Sequence, residues 1–180
     1  MNKFDEAYFS GGCFWCTEAI FQRVRGVLSV IPGYMGGHTS NPKYEDVILG
    51  NTGHTEGVQI KFNSSLIKYK ELVYLFFLSH DPTTLNRQGN DIGTQYKSVV
   101  FFNNIDQLKT LNIVIKELND ENIYNDPIIT DIKEFKKFYV SENQHHNYYN
   151  LNKEKSYCEY VITPKLNRIK KKFEHLMKNN

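Results

Sequence analysis

The sequence predicts an α+β domain, a central sheet with packed helices, and three features point to it. Strand-like alternation and helix-like periodicity follow each other in irregular order, not as repeated βαβ units. The 180 residues suffice for one domain with a real core, and 40% apolar with 23% charged residues is ordinary for a globular chain. No internal repeat, low-complexity tract or linker divides them, so residues 1–180 read as a single unit.

In chain order, Phe4 to Phe9 forms a short strand that ends at Gly11-Gly12. A helix opens near Cys13 and runs to Arg25, with Gly26 placed to stop it. "VLSVIPGYMGGHTSNPKYEDVILGNTGH" begins as a strand and becomes a long loop, which inside a domain is more often functional than idle. "EGVQIKFN" alternates, with Val58, Ile60 and Phe62 on one side, and reads as a half-buried strand. "YKELVYLFFLSH" is apolar enough for a buried helix. After the irregular "DPTTLNRQGNDIGTQ" comes a strand, "YKSVVFF".

Leu108, Leu111, Ile115 and Leu118 recur at helical spacing. Ser141 and Gln144 fit a capping box for a helix carrying "HHNYY". A last strand, "YCEYVIT", precedes a helix with Thr163 as N-cap, Pro164 at its first position, and Leu166, Ile169, Phe173 and Leu176 inward.

Composition narrows the function classes. A net charge of +2 gives no global pull toward nucleic acid. The six Lys/Arg against one acid from Pro164 onward read as a solvated helix face. The N-terminal "MNKFDEAYFSGGC" lacks an apolar run of signal-peptide length, and no later run reaches membrane-spanning length. Three cysteines are too few, and odd in number, for a secreted disulfide scaffold, so a soluble, reducing cytoplasmic setting is expected.

"SGGCFWCTEAIF" carries the chemistry. Its Cys13 and Cys16 admit three readings. Dithiol exchange suits a CxxC at a helix start, although bulky Phe14-Trp15 fills the gap and no βαβ pattern surrounds it. A zinc site needs two more ligands, and adjacent His145 and His146 normally point apart. The third reading makes Cys13 a nucleophile. Gly-Gly lets the backbone turn tightly into a helix N-terminus, where unpaired N–H groups lower a thiol pKa, and Phe14 and Trp15 supply an apolar wall. Glu56, just before an apolar-facing strand, suits a general acid. Loop tyrosines Tyr44 and Tyr96 can donate phenolic hydrogen bonds, and Asp91 suits either a polar role or a turn. Spacing and composition alone give a cysteine-based enzyme.

Three ordered blocks carry a resemblance: "GGCFWCTEAIF", "GVLSVIPGYMGGHTSNPKYEDVILGNTGHTEGVQI" and "FLSHDPTTLNRQGNDIGTQYKSVVFF". Together they resemble peptide methionine sulfoxide reductase A across most of residues 8–102. "FYVSENQHHNYY" is similar to that family's F-Y-x-x-E-x-x-H-Q-x-Y, with His146 where Gln is usual. Where many members end in a Gly-rich, Cys-bearing tail, this chain continues as "YCEYVITPKLNRIKKKF".

The resemblance implies a two-layer sandwich around a mixed sheet. It also implies reduction of the S epimer of methionine sulfoxide, free or in proteins, with electrons from thioredoxin and no metal or organic cofactor. By motif position, Cys13 is the nucleophile, Phe14 and Trp15 hold the substrate methyl, Glu56 is the acid, and Tyr44, Tyr96 and Asp91 complete the polar side. Cys16 and Cys158 both stand as resolving thiols, with the lean toward Cys16, and a monomer is expected. The competing classes are a thioredoxin-like disulfide reductase and a non-catalytic methionine-binding module.

Overall fold

The structure, a computed structural model, describes residues 4–178. Met1 to Lys3, where the reading for a leader begins, lie outside the described residues. Six strands form the main sheet: β1 (Phe4–Ser10), β2 (Val27–Met35), β3 (Thr55–Asn63), β6 (Val99–Phe102), β7 (Asp131–Glu134) and β8 (Phe138–Val140), in the order β7-β6-β1-β3-β2-β8. All neighbours run antiparallel except β6 and β7, so the sheet is mixed. The alternation in β3 decides its faces, with Val58, Ile60 and Phe62 fully buried in the main core. Glu56 shares that parity and pairs across to Tyr34 on β2.

Helices cover one face of the sheet: α1 (Phe14–Phe21), α3 (Tyr69–Ser79), α4 (Ile105–Asp120) and α6 (Thr163–Lys172). The expected inward positions Leu111, Leu118, Leu166, Ile169, Phe173 and Leu176 are buried, and Val114 joins the α4 stripe. On the other face a smaller cluster of Tyr8, Met35, Val99 and Phe101 is capped by Phe135 and Phe138, with the Phe135 ring stacked 3.8 Å from Tyr8. This gives the α+β architecture with packed helices that the sequence predicts.

Several local expectations are corrected. Regular helix in α1 ends at Phe21, not Arg25, because the following backbone pairs with the C-terminal turn: Arg25 N–H donates to Leu176 C=O (2.7 Å) and Lys178 N–H to Arg23 C=O (2.8 Å). The loop after β2 contains a short helix, α2 (Tyr44–Ile48). The irregular segment after α3 folds into a two-stranded hairpin, β4 (Arg87–Gln88) and β5 (Asp91–Ile92).

Ser141 and Gln144 form no capping box. The Ser141 hydroxyl has no partner, and a single 3₁₀ turn, Asn143–His145, is broken by Asn147 at φ +53°. A four-residue helix, α5 (Tyr148–Leu151), follows.

"YCEYVIT" is not a strand. Residues Cys158–Ile162 form a π-helical turn that leads straight into α6, so Thr163 lies within the helix and is no N-cap. Cys158 and Ile162 are fully buried while Tyr160 is 74% exposed, a burial period of four set by packing against the rest of the core. Aromatic and β-branched composition favours a strand, and tertiary packing overrides it here.

Candidate active site

The site grows from the junction of β1 and α1. Gly12 turns the chain at φ +90°, and a Cβ there would meet the Gln88 side chain at 2.6 Å. Cys13 follows as the N-cap of α1, its C=O accepting from Cys16 N–H (3.1 Å), with both thiols free and buried.

The expectation that the helix N-terminus lowers the Cys13 pKa is corrected. Burial, the Cys16 sulfur and the Glu56 charge push Cys13 well above the usual thiol value. Burial is the leading cause, and one donor of the first turn is engaged elsewhere, since Phe14 N–H donates to Glu56 Oε2 at 3.1 Å. The charge of the pair settles one turn on. A hydrogen bond from the Cys13 thiol lowers Cys16 to about 7 against the effect of burial, with Lys165 and Tyr157 adding to the lowering.

Glu56 is 1% exposed. Burial raises its carboxyl to about 8, Asp91 and Cys16 add to the rise, and the Phe14 N–H opposes it. At neutral pH it therefore holds a proton beside the thiol pair. Tyr44, at the start of α2, and Tyr96, after the hairpin, lie near enough to feel both Glu56 and Cys13. Burial first, then those charges, raises Tyr44 to about 12 and shifts Tyr96 upward too. Neither hydroxyl has a hydrogen-bond partner among the described residues.

An aromatic wall stands beside them. Phe14 is fully buried, with its ring 5.8 Å from Tyr34 and 5.3 Å from His145. Trp15 is half-buried and lies parallel to Tyr148 at 3.7 Å and 6°. Its indole N–H donates to His145 Nδ1 at 3.2 Å, which fixes the imidazole proton on Nε2. Glu142 ties the wall to the loop, accepting from Tyr34 OH and from Tyr44 N–H, each at 2.8 Å. Glu18, one turn beyond Trp15, accepts from Asn147 N–H (2.7 Å) and Tyr148 N–H (3.3 Å), which pins the start of α5. His146 instead reaches Ser141 C=O, so the adjacent histidines serve separate partners.

Asp91, on β5, accepts from Tyr157 OH at 2.6 Å, and that hydroxyl lies 3.9 Å from Cys16 Sγ. The fold thus brings Cys13, Phe14, Trp15, Cys16, Tyr44, Glu56, Asp91 and Tyr96 together. Cys158 differs: it is fully buried on the π turn, a helical position in place of the expected strand. Among the described residues no three of His, Cys, Asp and Glu gather closely enough to hold a metal ion, and no helix is long and apolar enough to cross a membrane.

The family model for peptide methionine sulfoxide reductase matches residues 5–177. The chain belongs to that family. Peptide methionine sulfoxide reductase MsrA of Saccharolobus solfataricus is 49% identical over 172 residues, covering 96% of each chain. Reduced Mxr1 from Saccharomyces cerevisiae superposes with a TM-score of 0.79 at 32% identity, over 87% of this chain and 90% of that one. Mxr1 in complex with Trx2 matches with a TM-score of 0.56 at 26% identity, over 79% and 84%.

For a reductase of this family, sequence reasoning missed Tyr157, Tyr148, Tyr34, Glu142 and Glu18 as parts of the site. Tyr157 was hidden by reading its segment as a strand. Glu142 and Tyr148 stood inside the quoted "FYVSENQHHNYY" block and were the findable ones. Nothing local to Glu18 or Tyr34 reports their partners, which lie 129 and 108 residues away.

Proposed function

We propose that this protein reduces the S epimer of methionine sulfoxide, free or in proteins, through a sulfenic acid on Cys13, a disulfide and recycling by thioredoxin. One observation carries the reading: the buried Glu56, bonded to Phe14 N–H, and two unpartnered tyrosine hydroxyls lie near enough to Cys13 to share its electrostatic field, beside the Phe14–Trp15 wall. A sulfoxide oxygen directed at Glu56, Tyr44 and Tyr96 gains a proton and hydrogen bonds, which makes its sulfur electrophilic. The methyl group then rests against polarizable rings.

Cys13 attacks and its thiol proton passes to Cys16. The oxygen ends on the Cys13 sulfur, and methionine leaves. Cys16 condenses with the sulfenic acid, releasing water. Its hydrogen bond with Cys13 supports it over Cys158, which lines no part of the cleft beside Cys13. Asp91 holds Tyr157 against Cys16. A reducing, cytoplasmic setting belongs to this reading, and residues 1–180 are read as one catalytic unit acting as a monomer without cofactor. The relative's complex with Trx2 supports a thioredoxin as reductant.

The test is turnover of the two epimers with dithiothreitol. The S epimer should be consumed and the R epimer left, because exchanging methyl and oxygen would bury an unmatched polar group. Equal turnover of both would sink the reading. After one turnover without reductant, peptide mapping should find Cys13 joined to Cys16; a dominant Cys13–Cys158 product would reassign the resolving thiol.

A further inference from the structure

One buried, fully bonded ring has no part in the chemistry above. His54 stands two residues before Glu56 and is 2% exposed. Its Nδ1 accepts from Gly37 N–H at 3.0 Å, and its Nε2 lies 2.7 Å from Thr39 C=O. A carbonyl oxygen only accepts, so Nε2 carries the proton, and one tautomer serves both bonds. Gly37 lets the ring come this close. A Cβ there would lie 2.4 Å from His54 N and Thr52 O, and 2.5 Å from the imidazole. Around this approach His38 N–H donates to Thr52 C=O (3.0 Å) and His54 N–H to Thr52 Oγ1 (3.2 Å). Tyr139 stands T-shaped to the ring, with centroids 5.4 Å apart.

These bonds close the long loop on itself. Gly37 and Thr39 open it, and His54, 17 residues after Gly37, ends it. Tyr44 lies on the closed stretch, and Glu56 on the strand that follows. Glu142 holds the Tyr44 N–H from one side, and the imidazole ties the loop's start to its end. His54 also lines a cleft of about 480 Å³ with Gly36, Gly37, Phe101 and Tyr139, a cleft that none of Cys13, Tyr44, Glu56 and Tyr96 lines. The ring therefore acts from outside the site.

We propose that His54 is a positioning residue for the sulfoxide-oxygen side of the site: by bonding Gly37 and Thr39 it closes the loop that sets the Tyr44 hydroxyl against Glu56. The inference rests on the reductase reading above. An imidazole suits the task because one rigid ring presents an acceptor and a donor at once. An aliphatic side chain there would leave Gly37 N–H and Thr39 C=O unpaired. Groups at the oxygen act as the sulfur–oxygen bond breaks, whereas the Phe14–Trp15 wall grips the methyl already in the bound substrate. Opening the loop should therefore slow the sulfoxide step and leave substrate affinity nearly unchanged. Reduction of the oxidised enzyme uses neither Tyr44 nor Glu56 and should not change.

The experiment measures single-turnover reduction of free methionine sulfoxide by the full chain, per folded protein, over a range of sulfoxide concentrations. His54→Ala should slow the step about tenfold, with the half-saturating concentration within about twofold of wild type. His54→Asn, whose amide oxygen takes the place of Nδ1 toward Gly37 N–H, should recover to within about threefold. If His54→Ala does not fold, His54→Gln replaces it. That variant keeps the donor for Thr39 but not the acceptor for Gly37, and should lose about fivefold. In a Tyr44→Phe background the same substitution should cost less than about twofold more, because the hydroxyl that the loop positions is already gone. A rate within about twofold of wild type would overturn the proposal. So would a loss confined to the half-saturating concentration, an equal slowing of dithiothreitol reduction of the oxidised enzyme, or the full loss persisting in Tyr44→Phe. Each of these leaves the reductase reading standing. No turnover by the wild type would remove that reading and the positioning role with it.

Discussion

Glu56 shows how one side chain is fitted for acid chemistry by where the backbone puts it. A carboxyl on a loop would be ionised at neutral pH. On the inward face of β3, with burial outweighing its single backbone donor, its pKa rises to about 8 and it keeps its proton. Glu56→Gln preserves shape and removes that proton, so the single-turnover rate of sulfoxide reduction should fall roughly 10²–10⁴-fold. Reduction of the already oxidised enzyme should be nearly unchanged. The wild-type rate should also fall as pH rises through about 8, because the acid form is then lost, and the variant should lack that limb. A single-turnover rate within about threefold of wild type, roughly 0.65 kcal/mol, would remove Glu56 from the acid role.

At the scale of elements, α1 both presents the aromatic wall and builds its support. Trp15 projects from the first turn, and Glu18, one turn later, fixes the two N–H groups that open α5 and so holds Tyr148 flat on the indole. Glu18 is therefore a positioning residue. Glu18→Gln keeps one acceptor and turns an amide NH₂ toward the donors, removing charge-assisted hydrogen bonds worth about 1.5–3 kcal/mol each. Trp15 is the sole tryptophan, so its fluorescence reports the stack directly. The variant should show red-shifted, altered emission and a three- to tenfold higher KM for sulfoxide, with kcat within about twofold. Unchanged emission together with an unchanged KM would leave Glu18 with no part in the wall.

For the whole molecule, the same buried carboxyl is a stability cost. The native state keeps the Glu56 proton between 4.5, its ordinary value, and about 8, while the unfolded chain has released it. More protons are bound in the native state, so unfolding free energy falls as pH rises through that window, by a total on the order of 4 kcal/mol. His80 acts in the opposite sense at the acid end. Burial lowers it from 6.5 to about 4, so the unfolded chain binds the extra proton and stability is lost as pH falls below 6.5. Urea unfolding at pH 5 and pH 8 should therefore find Glu56→Gln more stable than wild type by a few kcal/mol at pH 8 and nearly equal at pH 5. Identical pH dependence in the two proteins would show that Glu56 is ionised in the native state.

Local chemistry by itself determined a good part of this. Period-two alternation gave β3 its inward face, an apolar run gave α3, a helical period gave α4, and Gly-Gly-Cys marked the turn into α1 with Cys13 at its cap. Those signals are legible because each is written within a few neighbouring residues. The tertiary structure alone decided what depends on distant partners. It made residues 157–163 helical, where burial against the core outvoted aromatic and β-branched composition, and so brought Tyr157 to Asp91 and Cys16. It gave the Phe14 N–H to Glu56, and by burying Cys13 against Cys16 it moved the easier ionisation from Cys13 to Cys16. It also set Glu18 under a loop 129 residues away. Periodicity reports which face of an element is wet; which buried polar group meets which is settled only when the elements pack.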